Sequence, residues 1–91
     1  MKDDLQALRS AGQTRLRFSA KVCYQDRRGC IILRNVWSPT GRTEHAWIRP
    51  NEWHGPIPKR GRNVEFLATI CPYYKGDGEE DYGLFDLKVI P

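Results

Sequence analysis

Between Arg15 and Tyr24 the chain alternates with a period of two. Leu16, Phe18, Ala20, Val22 and Tyr24 take one set of positions, and Arg15, Arg17, Ser19, Lys21 and Cys23 take the other. Successive side chains of an extended strand point to opposite faces, so this pattern specifies a strand with one apolar and one basic face. The device returns at Val64, Phe66, Ala68 and Ile70, with Glu65, Leu67, Thr69 and Cys71 opposite.

The remaining segments read as strands and turns. Cys30 to Trp37 is rich in β-branched and aromatic residues and predicts a second strand. Asp26-Arg27-Arg28-Gly29 is the turn before it. Ser38-Pro39-Thr40-Gly41 is a tight turn, after which Thr43 to Arg49 pairs back as a hairpin. Pro50, Gly55, Pro56, Pro58 and Gly61 exclude a long helix, leaving room for one short turn through Trp53-His54 capped by Asn51. Pro72 to Asp81 reads as a polar loop, and Tyr82 to about Ile90 as the last strand. At the front, Leu5 and Leu8 are one helical turn apart in a polar segment ended by Gly12. The expected architecture is all-β: a short N-terminal helix or arm at 1–12, then one small five-stranded Greek-key barrel of OB-fold type at 13–91. Closure into a barrel removes exposed strand edges, and the order of three strands, a short turn and two strands is that of an OB-fold. An SH3-like barrel is the nearest competitor, with shorter strands and linkers.

Ninety-one residues make one domain and one modest core, too little for an elaborate enzyme. No run of apolar residues is long enough for a membrane helix. Met1 to Leu8 carries Asp3 and Asp4 and lacks the apolar segment of a secretory signal. Three cysteines is an odd number, which favours reduced thiols over a disulfide framework and a cytoplasmic location.

Charge is unevenly spread. From Arg9 to Arg62 there are twelve basic residues and three acidic ones, whereas Asn63 to Pro91 holds two basic and six acidic residues. The basic part also holds Trp37, Trp47 and Trp53. Positive charge interleaved with flat rings suits a groove for single-stranded DNA or RNA, where cations hold phosphates and rings stack bases. The competing reading is a solvated basic surface over core tryptophans. The candidate binding residues are Arg15, Arg17 and Lys21 on the first strand, Arg27 and Arg28 in the first turn, Arg34, Trp37, Trp47 and Arg49 on the hairpin, and Tyr73, Tyr74 and Lys75 in the last loop. At least one of Trp37 and Trp47 is expected in the core, because the chain has few large apolar residues to fill a barrel. Trp53 is expected to plug one end. The acidic cluster Asp77, Glu79, Glu80 and Asp81 beside the tyrosines opposes phosphate unless it faces away or pairs with Lys59, Arg60 and Arg62.

Other chemistries lack their signatures. Cys23, Cys30, Cys71, His45 and His54 do not have the spacing of a zinc ribbon or knuckle. A His45 and cysteine dyad has no surrounding motif. The 77–81 carboxylates are not spaced as a calcium loop, and no phosphate-cradling Gly-rich loop is present. No catalytic residue, metal or cofactor is therefore expected.

His45-Ala46-Trp47, the run from Gly61 to Ile70, Tyr74-Lys75-Gly76 and Asp81-Tyr82-Gly83-Leu84 resemble a pattern in small OB-like bacterial and phage proteins. The resemblance covers about half the chain. It implies an OB-like barrel and supplies no catalytic residue. OB-folds host nucleic-acid, oligosaccharide and protein partners, so the fold alone leaves the ligand open. The chain departs from well-known single-strand binding proteins in ending at the last strand, with no long acidic, Gly-rich tail, and a genome-coating role is not expected. A protein-interaction module or accessory subunit of a bacterial or mobile-element assembly is the alternative, with pairing of two copies through an edge strand as a further option.

Overall fold

The two segments with the cleanest alternation become the two central strands. In the computed structural model, which describes residues 15–38, 41–74, 76–78 and 80–91, six strands form one mixed sheet. They are β1 (Arg15–Gln25), β2 (Ile31–Ser38), β3 (Gly41–Ile48), β4 (Trp53–His54), β5 (Asn63–Tyr74) and β6 (Glu80–Val89), in the spatial order β3-β2-β1-β5-β6-β4. All ladders are antiparallel except β4 on β6. The all-β class agrees with the sequence. The sheet is open where the sequence predicts closure: β3 and β6 approach each other, but no ladder joins them among the described residues. The expected arm at 1–12 lies outside the described residues. No helix among the described residues is long and apolar enough to cross a membrane.

The inward positions fill one core. Phe18 and Phe66 stack at 5.6 Å between ring centroids, at the junction of β1 and β5. Ile31, Leu33, Val36, Ile48, Ile70 and Leu87 are fully buried around them. Trp53 joins this cluster, and its Nε1 donates to the Pro56 carbonyl at 3.3 Å.

Several boundaries differ from the sequence reading, each for a local reason. The sixth strand, β4, is two residues long and pairs Trp53 with Leu87 and His54 with Lys88, too short to leave a periodic signal. The turn before it is a 3-10 turn at Pro50–Glu52. Arg49, not Asn51, occupies its N-cap position, and no side chain caps it. β5 runs through Pro72 to Tyr74, so Tyr73 and Tyr74 are strand residues rather than loop residues. Within this extension Pro72 lies opposite Tyr82 of β6. Tyr24 is half exposed rather than core, because the register slips between Val22 and Tyr24 and breaks the alternation.

Candidate nucleic-acid interface

The first turn is built by Asp26. Its carboxylate accepts from the backbone N–H groups of Arg28 and Cys30, both at 2.9 Å, and Gly29 takes a φ of +84° to complete the reversal. Arg27 and Arg28 are thereby held exposed at one end of β1 and β2.

β2 carries the decisive irregularity. Ser19 pairs with Trp37 and Lys21 with Arg34, so three residues of β2 span two of β1. The extra residue is Asn35, held at a φ of 50°. Asparagine is among the few side chains that adopt this left-handed conformation readily. The bulge brings Arg34 and Trp37, which simple alternation would send to opposite faces, onto the same outer face. β3 bends with it: Arg34 pairs with His45, and Trp37 with Arg42.

Two cross-strand rows result on the outer face of β1, β2 and β3. The first is Ser19, Trp37 and Arg42; the second is Lys21, Arg34 and His45. The Arg42 guanidinium lies 5.2 Å from the centroid of the Trp37 ring, and Arg42 also reaches Glu44 at 3.8 Å. The Arg34 Nε donates to His45 Nε2 at 3.3 Å, and the His45 ring sits 5.9 Å from that of Trp47. Beyond these rows, Ile32 is buried outside the core cluster, paired with Tyr24 on one side and Trp47 on the other.

Both hairpin tryptophans are on the surface, Trp37 at 51% and Trp47 at 57% exposure. The expectation that one fills the core is corrected. Val36, Ala46 and Ile48 take the inward positions of these strands, and Phe66 and Trp53 supply the large rings. Lys21 and Arg34 stand directly opposite each other, and among the described residues no carboxylate pairs with either. A shallow groove runs beside Lys21, Asn35, Trp37 and Asn63.

Not every candidate joins this face. Arg17 is ion-paired with Glu65. Arg15 donates to Thr69 Oγ1 at 2.8 Å and to the Asp86 carbonyl at 3.0 Å, and it lies 3.5 Å from the Asp86 carboxylate. Both arginines are thus tied to β5 and β6. Tyr73 and Tyr74 are successive strand residues and so point to opposite faces; Tyr74 is 74% exposed. Tyr73 packs edge-on against Phe85, with centroids 6.4 Å apart. Together with Trp47 and Arg49 it lines a cleft between β3 and β6. Lys75 lies outside the described residues. Arg42 and His45 belong to the face although they are not among the candidates. The sequence already places Arg42 with Arg34 and Arg49 on the basic face, and the structure sets it opposite Trp37.

Cys23, Cys30 and Cys71 are free thiols. Among the described residues no group of three or more histidine, cysteine or carboxylate side chains is arranged to hold a metal ion. No protein-family model, no curated protein and no solved structure matches this chain.

Proposed function

We propose that this chain is a non-catalytic, single-stranded nucleic-acid-binding protein of OB-like architecture. The observation that carries the reading is the Lys21 and Arg34 pair between two half-exposed tryptophans on one sheet face. Like charges directly opposite on neighbouring strands weaken a sheet, and a bridging anion removes that cost. A phosphate over the pair, with bases on Trp37 and Trp47, uses every unusual feature of the face. The architecture supports the same reading. β1, β2 and β3 form a meander, β1 also pairs with β5, and β5 with β6, which is the connectivity of an OB barrel left open at the β3 and β6 seam. In that fold the second and third strands and the loop between the first two bear the ligand, the places occupied here by Arg34, Trp37, Trp47, Arg27 and Arg28.

The test is anisotropy of labelled oligo(dT) at low and moderate salt, with tryptophan emission read in the same tube. Binding that weakens with salt and quenches tryptophan is expected. Trp37→Ala should lose roughly 1–3 kcal/mol of affinity, the worth of one stacked base. Absence of binding at low salt removes the reading.

A second reading, a protein-contact module, is favoured by a hollow at the C-terminal end of β1 lined by Tyr24, Ile57, Pro58 and Arg60, with Tyr24 and Ile57 both 47% exposed. A stoichiometric protein partner co-purifying without nucleic acid would select it.

A further inference from the structure

The seam between β3 and β6 is a cleft of about 150 Å³. Its walls are Trp47 from β3, Tyr73 from β5, and Tyr82, Leu84 and Phe85 from β6. Arg49 is the one charged residue among the described lining. Gly83 makes the wall possible: a Cβ there would lie 3.1 Å from Tyr73 Cε1 and 3.2 Å from Phe85 Cε2. With only hydrogen at that position, the Tyr73 ring lies down on β6 beside Phe85.

Size and lining narrow the occupant. An apolar cavity of roughly 150 Å³ takes one benzene, and sites for drug-sized molecules start at about 300 Å³. A single six-membered ring fills such a cleft, and two fused rings would project from its open side. Four aromatic side chains beside a cation match a base stacked out of a strand with its phosphate at the rim. Trp47 belongs both to this cleft and to the outer face, so the two are continuous.

We propose that the β3 and β6 seam takes one pyrimidine base of a bound strand, an assignment that rests on the single-strand reading above. Trp47 and Tyr73 hold the ring, and Arg49 holds the adjoining phosphate. The consequence is a preference for pyrimidines at one position of an otherwise sequence-tolerant site.

The experiment is a chemical-shift titration of the isotope-labelled full chain with thymidine 5′-monophosphate, deoxyadenosine 5′-monophosphate and oligo(dT). Thymidine monophosphate should shift the amides of Gly83, Leu84 and Phe85, with deoxyadenosine monophosphate about tenfold weaker there, the loss of one stack. Tyr73→Ala should widen the seam and let the purine nucleotide shift the same amides, a gain that misfolding does not mimic. Equal response to both nucleotides in the native protein overturns the size argument and the proposal. If oligo(dT) binds but shifts only Arg34, Trp37 and His45, the seam is wrong and the outer-face reading stands. If oligo(dT) does not bind at low salt, the outer-face reading itself has failed.

Discussion

Lys21 and Arg34 are opposite one another on β1 and β2, and the groups around them say what the pair is for. Arg34 is exposed and its Nε donates to His45; Lys21 has no carboxylate partner among the described residues. A fold selected for stability alone would put an acid at one of the two positions. Opposed like charges destabilise a sheet by about 0.2–1 kcal/mol, so Lys21→Gln should stabilise the free protein by about that amount while weakening its hold on a strand. Urea denaturation and anisotropy on the same variant check both halves. A variant that is less stable, or that binds oligo(dT) as well as the parent, would show that the pair is not an anion site.

At the scale of elements, the face depends on Asn35. Straightening the bulge while keeping its residues would restore plain alternation and send Arg34 and Trp37, three positions apart, to opposite sides of β2. A β-branched side chain at a φ of 50° is strained. Asn35→Val should therefore cost about 1–3 kcal/mol of stability, and Asn35→Gly should be nearly neutral, measured as shifts in the unfolding midpoint. Equal effects of the two would mean that backbone conformation is not what asparagine supplies there. The same element shows the limits of sequence reading. Alternation located β1 and β5, and turn residues located the β1–β2 and β2–β3 connections, because those signals are local. The surface position of both Trp37 and Trp47 was not legible, since it depends on the bulge and on Trp53 and Phe66 filling the core from other strands. The extension of β5 through Pro72 was hidden for a similar reason: it depends on pairing with β6, where Pro72 lies opposite Tyr82. Of the candidate residues, Lys21, Arg34, Trp37 and Trp47 come together because they are outward-facing neighbours. Arg15 and Arg17 fit the same pattern but are claimed by acids more than forty positions away in the chain, which no spacing rule displays.

Over the whole molecule, the uneven charge of the sequence becomes a division of the surface. The acidic C-terminal part folds as β5 and β6 beside β1, where Glu65 and Asp86 neutralise Arg17 and Arg15. The basic excess is left on the other half of the sheet, on β2, β3, the far half of β1 and the turn between β1 and β2. Long-range attraction for a polyanion is thereby directed at the face that bears the tryptophans. This division gives a quantitative expectation. If Lys21, Arg27, Arg34 and Arg49 each neutralise one phosphate of a single strand, the logarithm of affinity should fall with that of salt concentration with a slope of about −3. Between roughly 50 and 200 mM salt the affinity then drops about fiftyfold. Arg34→Gln should reduce the slope by about 0.7, whereas Arg17→Gln should leave it unchanged, because Arg17 is already paired with Glu65. A slope that responds equally to both substitutions would mean that the strand senses only net charge, and that the arrangement on β1, β2 and β3 does not select where it binds.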